Sequence, residues 1–359
     1  MSYLARIFPV FAAALIAPSV FAQQPALKVG TASAGPGQKA TGYIEVPAGV
    51  DAATNIPVIV VSGAKPGPTL ALVAGAHGTE YASIIALEKL IGRLDPAEIS
   101  GSVIIVPLVN LASFNHKVPH VNPVDGKSMN RFYPGKMDGT QTDRASFLIT
   151  RDVVEQSDYL IDLHGGDLDE SLRPYSYWVR TGDAKSDAIR RDMVLAFGLD
   201  TIILSDDRPK DPNDSRYLDN TATTRGKPAI AAEAGYAGTV ETDDVEALIR
   251  GCLGVMHYLK MLPVEAGKPG AAQFVEHPVW IAKVDTVSGE QDGIFYPLVK
   301  RGTYVAAGME VGYVTDYFGK TIQVARAPES GVVLYICAVP TMVKGNVVAN
   351  IGVVATSAP

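Results

Sequence analysis

Cysteine is nearly absent: Cys252 and Cys337 are the only two in the chain. Two are too few for a disulfide framework, and they fall in an expected helix and an expected strand of a different region. Two buried thiols are the simpler reading, although a bridge stays open in an oxidising compartment. Neither sits in a chemistry-bearing motif, so no cysteine nucleophile is expected. Basic runs interleaved with aromatics are missing, and the formal net charge is −7, which argues against a nucleic-acid surface. Internal repeats and low-complexity tracts are missing too. Beyond the N-terminus no apolar stretch approaches the roughly 20 residues that a membrane-spanning helix requires. What is plentiful is apolar: 47% hydrophobic against 19% charged residues, the balance of an ordered globular protein.

The N-terminus, MSYLARIFPVFAAALIAPSVFAQQ, places Arg6 before an apolar run that ends at Val20-Phe21-Ala22. Small residues at the −3 and −1 positions are the secretory signal pattern. A signal peptide over 1–22 is therefore expected, with export to the periplasm or medium and no membrane contact after cleavage. A retained anchor is the alternative.

Residues 56 to 262 alternate short apolar runs with stretches of helical spacing. IPVIVVSG, TLALVAGA, SVIIVPLV, DYLIDLHG, DTIILS and KPAIAAEAG suit buried strands bounded by Gly and Pro. YASIIALEKLIGRL, SDAIRRDMVLAFGL and VEALIRGCLGVMHYLKML suit helices. The alternation implies an α/β fold with a parallel or mixed sheet and helices on both faces. The expected division is a catalytic unit over 23–262, a linker over 263–275 and a smaller all-β domain over 276–359. The last resembles the small β-barrel of biotinyl or lipoyl carrier domains, with Gly302, Gly308 and Gly312 at turns. It lacks a Met-Lys-Met or Asp-Lys-Ala hairpin, so no swinging-arm lysine is expected.

Histidines mark the chemistry. His77 and Glu80 stand in ALVAGAHGTEYAS, and His164 ends DYLIDLH. In each, an apolar run delivers candidate ligands to a strand end beside glycine, where α/β sheets place their sites. Two His and one Glu are an established zinc set that keeps one position open. Two further segments, NPVDGKSMNRFYPG and PAIAAEAGYAG, complete a series of four. Gly75, His77 and Glu80; Asp125, Gly126, Asn130, Arg131, Pro134 and Gly135; His164; and Glu233 with Gly235 together resemble the succinylglutamate desuccinylase/aspartoacylase family. The closest pattern is that of its deacylase group within the zinc carboxypeptidase-like hydrolases. The likeness covers residues 60 to 260 well and the C-terminal part loosely.

The resemblance implies a zinc carboxypeptidase-like mixed sheet flanked by helices, and one zinc per chain held by His77, Glu80 and His164. It implies Glu233 as general base, and Asn130 and Arg131 as binders of a carboxylate on a small N-acyl substrate. A planar guanidinium fits a carboxylate through two hydrogen bonds. In one place the chain departs from the pattern: His120 stands where the family usually carries arginine, three residues before Pro123. His120 is taken as a catalytic group in its place, with an exposed loop histidine as the alternative. Asp125-Gly126 reads as a turn, Asp162 as a partner of His164 on the same strand face, and Arg173 and Tyr175 as neighbours of the site. The expected activity is deacylation of a small N-acyl amino acid. An exported zinc carboxypeptidase or peptide amidase acting on a short peptide, and a non-catalytic binding relative, are the alternatives. The C-terminal region is expected to narrow the site against long peptides.

Overall fold

The computed structural model describes residues 25–263 and 274–359. The expected signal peptide, and most of the expected linker, lie outside the described residues. Strands β1 (Leu27–Val29) and β2 (Ala32–Ala34) form a small antiparallel pair. Eight strands of a larger sheet follow: β3 (Gln38–Val46), β4 (Thr54–Ser62), β5 (Lys65–Ala74), β6 (Ser100–Val106), β7 (Tyr159–His164), β8 (Glu170–Val179), β9 (Thr201–Ser205) and β10 (Ala229–Tyr236). Between them lie helices α1 (Tyr81–Arg93), α2 (Leu111–His116), α3 (Gln141–Ile149), α4 (Ala184–Phe197) and α5 (Leu218–Thr223), and α6 (Thr242–Tyr258) comes after. The C-terminal part is all β among the described residues: β11 (Val279–Ser288), β12 (Gly293–Pro297), β13 (Tyr304–Val305), β14 (Glu310–Thr315), β15 (Thr321–Arg326), β16 (Gly331–Cys337), β17 (Thr341–Met342) and β18 (Val347–Val354).

The middle of the sheet runs β6-β5-β7-β10, all parallel. Both faces of these strands are buried, which is why they read as unbroken apolar runs. Along β5, Leu70, Leu72 and Ala74 enter the core under α1, α4 and α6. Ala71 and Val73 enter the opposite core with Leu148 and Ile149 of α3 and Leu218 of α5. Full burial of each such leucine contributes about 1.5–3 kcal/mol. α4 stops at Gly198, whose φ of 88° is the left-handed cap that glycine adopts without penalty.

Beyond β10 the sheet continues into the C-terminal part. β8 pairs with β9, β9 with β11, β11 with β18, β18 with β16, and β16 returns to β8, closing a ring of five strands. Along the edge away from β10, β8 serves two neighbours because it changes partner midway. Glu170–Leu172 face β16, Tyr175–Val179 face β9, and Pro174 lies at the break, where its missing N–H costs no ladder bond. Inside, Tyr175, Ile281, Val333 and Ile351 share a core with Phe295 and Val314 of the small β12-β14-β15-β17 sheet. Arg301 fastens the junction: its Nη1 donates to the carbonyls of Leu172 and Gly235, each at 2.7 Å, and Nη2 reaches Asp244 at 3.1 Å. Cys252 and Cys337 are both buried and unpaired. No described helix is long and apolar enough to cross a membrane.

Candidate active site

Three strand ends build the site. β5 stops at Ala74, and Gly75 turns the chain at φ 71°, where an added Cβ would stand 2.8 Å from Leu108 Cδ1. Glycine is needed there, and the turn sets His77 and Glu80 just ahead of α1. β7 delivers His164 at its last position. β10 places Glu233 directly beside His164 in parallel register and opposite Tyr175 of β8 in antiparallel register. Ligand, acid and tyrosine thus lie side by side across three adjacent strands.

The imidazoles converge on one carboxylate. His77 Nδ1 is 2.7 Å from Glu80 Oε1, and His164 Nδ1 is 3.0 Å from Glu80 Oε2. The donor atoms of His77, Glu80 and His164 all lie within 4.8 Å of one another, a set able to hold a metal ion. The electrostatics fit a cation at that point. Burial alone would push the Glu80 carboxyl up, but the His77 and His164 charges and hydrogen bonds hold it at about 2. Burial would lower His164, yet Asp162 and Glu80 raise its pKa well above the ordinary value. Both shifts favour positive charge between these acids, and a divalent ion would supply such a charge.

Neighbours orient the two imidazoles from outside. His164 Nε2 is 3.3 Å from Asp162 Oδ2 and 3.2 Å from Asn130 Nδ2. His77 Nε2 is 3.1 Å from Ser128 Oγ. Such partners fix ring orientation and tautomer. Asn130 Oδ1 also accepts from the Leu218 N–H, so both ends of its amide are engaged. Tyr175 Oη donates to Glu233 Oε2 at 2.9 Å. Burial, with a contribution from Glu80, moves the Glu233 carboxyl up against the opposing pull of His164 and Tyr175.

His120 adopts φ 62°, a left-handed conformation uncommon outside glycine. Its backbone N–H donates to Asp167 Oδ2, its Nε2 lies 3.0 Å from Asp169 Oδ1, and its Nδ1 lies 3.3 Å from Asp167. The Asp169 hydrogen bond, with the Asp167 and Glu170 charges, outweighs burial and raises its pKa to about 9. Its ring stands 6.2 Å from that of His77.

One cavity of about 780 Å³ is lined by the seven residues read from the sequence as metal-holding, catalytic or substrate-binding candidates, His77, Glu80, His120, Asn130, Arg131, His164 and Glu233, and by Asp162 and Tyr175. Arg131 is exposed and lies 4.8 Å over the Tyr217 ring. Arg173 instead pairs with Asp200 and Thr201, away from the cavity. Asp125 shapes its turn by accepting from Lys127 and Thr142. Sequence reasoning missed Arg208, Asp219, Tyr177 and Glu170, which also line the cavity. None belongs to a motif, and Arg208-Pro209-Lys210-Asp211 reads as an ordinary charged loop.

The succinylglutamate desuccinylase/aspartoacylase catalytic-domain family model matches residues 66–259. An N-alpha-acetyl-L-2,4-diaminobutyric acid deacetylase of Halomonas elongata is 30% identical over 283 residues, covering 77% of this chain and 79% of its own. The product-bound ectoine utilization protein EutE (DoeB) of Ruegeria pomeroyi aligns with TM-score 0.77 and 24% identity, over 88% of this chain and 95% of its own. A succinylglutamate desuccinylase/aspartoacylase of Rhodobacter sphaeroides aligns with TM-score 0.76 and 24% identity, over 89% and 96%. At that identity the two structures speak for the fold.

Proposed function

This chain belongs to the succinylglutamate desuccinylase/aspartoacylase family, and on that premise we propose that it is a zinc-dependent amidohydrolase removing the acyl group from a small N-acyl amino acid. The observation that carries the reading is the register of Glu233 beside His164, with His77 and Glu80 completing a ligand set on the same cavity wall. The Halomonas relative, by its name a deacetylase of an N-acetylated amino acid, supports it.

His77, Glu80 and His164 hold the zinc, which when bound supplies a Lewis acid that makes water nucleophilic near neutral pH. Glu233 takes the proton of the attacking water and passes it to the leaving nitrogen, with Tyr175 fixing its rotamer. Asp162, 3.3 Å from His164 Nε2, holds the ring with Nε2 protonated and Nδ1 free to ligate. His120, held as an imidazolium by its two aspartates, polarises the scissile carbonyl where the family usually uses arginine. Arg131 binds the substrate carboxylate. The mature protein acts outside the cytoplasm, and an N-terminus at Gln23 in the secreted or periplasmic fraction is the check.

The test is metal content together with hydrolysis of an N-acyl amino acid panel. About one zinc per chain with amide release supports the proposal. Efficient trimming of long peptides would favour a carboxypeptidase instead, and metal without hydrolysis would favour a binding protein.

Two variants probe the roles. Arg131→Ala should lower kcat/KM for carboxylate substrates tenfold or more, the effect of losing a charge-assisted hydrogen bond of about 1.5–3 kcal/mol. Equal rates on the acids and their amides would remove Arg131 from recognition. For His120, the raised pKa puts a falling limb of activity on the alkaline side, as pH rises through about 9. Its ion pairs likewise stabilise the fold fully below about 6.5, and that contribution fades through about 9. With the side chain 41% exposed, solvent screening keeps it small. His120→Arg should extend the active range to higher pH, and an unaltered profile in His120→Ala would return His120 to an ordinary loop residue.

A further inference from the structure

Glu233 stands next to an irregularity in its own strand. β10 and β8 run in antiparallel register as far as Glu233 opposite Tyr175, and the register then shifts before the next pair, Gly235 opposite Leu172. A bulge of this kind disrupts the ladder locally and re-aims the side chain beside it. Backbone groups at such a break need partners from elsewhere. Arg301, from the C-terminal part, supplies them: its Nη1 donates to both members of the pair beyond the shift, Leu172 O and Gly235 O, each at 2.7 Å. The arginine is itself held. Nη1 and Nη2 lie 3.2 and 3.1 Å from Oδ2 of Asp244, buried in the first turn of α6. Its loop is pinned to β16, with Gly302 N–H donating to Val333 O at 2.7 Å and Val333 N–H to Thr303 O at 2.9 Å.

The bulge has little slack against its other neighbour. A Cβ on Gly235 would stand 2.3 Å from Gly166 N, so the β10 backbone lies directly against the turn that follows His164. In that turn Gly165 N donates to Glu80 Oε2 at 3.1 Å. Packing on Gly166 and the hydrogen bond to Arg301 together fix the backbone two residues beyond Glu233. The same Nη1 fixes β8 three residues before Tyr175, whose Oη holds Glu233 Oε2 at 2.9 Å. One guanidinium therefore ties both strands that determine where the Glu233 carboxyl sits. Lysine cannot do this, because a compact ammonium on a flexible stem lacks the planar fork that serves two carbonyls and a carboxylate at once.

Resting on the deacylase reading, we propose that Arg301 is a positioning residue for the hydrolysis: by clamping the Leu172 and Gly235 carbonyls it holds the bulge that aims Glu233 into the cavity beside His164. The C-terminal part thereby takes part in turnover through a residue that touches neither substrate nor metal ligand. Asp244 acts one step further back, by holding the guanidinium in place.

The experiment measures kcat, KM and zinc content of the zinc-loaded full-length mature protein, using the fastest-hydrolysed member of a panel of N-acetyl and N-succinyl amino acids. The variants are Arg301→Lys, Glu233→Gln and the two combined. Arg301→Lys should keep zinc at about one per chain and KM within about twofold, and lower kcat roughly ten- to a hundredfold, the cost of misplacing a reacting group by about an ångström. On top of Glu233→Gln it should lower kcat by less than about twofold, because a residue that acts through Glu233 then has nothing left to act on. Asp244→Asn, which keeps its volume but loosens the arginine, should lower kcat in the same sense. An arginine with a merely structural role would lower kcat equally in both backgrounds. That result overturns the inference, as does an unchanged kcat or a loss of zinc in Arg301→Lys, and each leaves the deacylase reading standing. A wild type that hydrolyses no member of the panel overturns both. If Arg301→Lys does not fold, Asp244→Asn, alone and combined with Glu233→Gln, reads the same split.

Discussion

Glu233→Gln should leave zinc at about one per chain and lower turnover by 10²–10⁴-fold, the range for a positioned general base. The amide keeps the volume of the side chain, and its oxygen can still accept from Tyr175 Oη, so geometry is preserved. What it loses is the ability to take a proton. The position is suited to that task because burial lifts the carboxyl above the ordinary glutamate value toward the working pH. The same shift predicts a stability change of opposite sign. A glutamate with a raised folded pKa destabilises the fold once the pH exceeds its unfolded value of about 4.5, because folding then buries a charge. Glu233→Gln should therefore match or exceed the wild type in Tm at pH 7, trading function for stability. Loss of zinc in the variant would make Glu233 a ligand, and near-normal turnover would remove it from the mechanism.

His164→Ala should lose both metal and activity, and it should be the more damaging change to the fold. His164 lies buried between Asp162 and Glu80, and Gly165 N also donates to Glu80. Removing the imidazole leaves two buried acids facing each other, at a cost of about 3–5 kcal/mol for a broken buried pair. Chelation should lower the Tm of the wild type, since a ligand bound only to the folded state stabilises it by mass action. The Tm of His164→Ala should not respond to chelator. Elemental analysis and thermal melts with and without chelator read both effects. Full metal and activity in His164→Ala would overturn the ligand assignment.

The local elements follow from local chemistry. Tyr81–Arg93 and Thr242–Tyr258 form helices because their apolar residues recur at helical spacing on one buried side. The central strands read correctly because both faces are covered. Glu170–Val179 has no counterpart in the sequence reading: Arg173 and Pro174 interrupt its apolar pattern, and only its pairing with β9, β10 and β16 makes it a strand. Gln141–Ile149 escapes as well. Its buried side carries Gln141, Asp143 and Arg144, satisfied by distant groups such as Asp51 and Lys127 instead of by an apolar stripe.

By itself the sequence determined the family and most of the order of strands and helices, and it pointed to seven residues that line one cavity, because most of those candidate positions sit in short segments where strand end and glycine are contiguous. The tertiary structure decided how they work. It set Glu233 in line with His164 and Tyr175, turned Asn130 onto the outer nitrogen of His164, and bound the C-terminal strands into a ring through β8. It also brought Arg208 and Asp219 to the wall opposite residues far away in the chain. These arrangements depend on pairing register and on burial of charges without local partners. Both are properties of segments meeting in space, and no spacing along the chain encodes them.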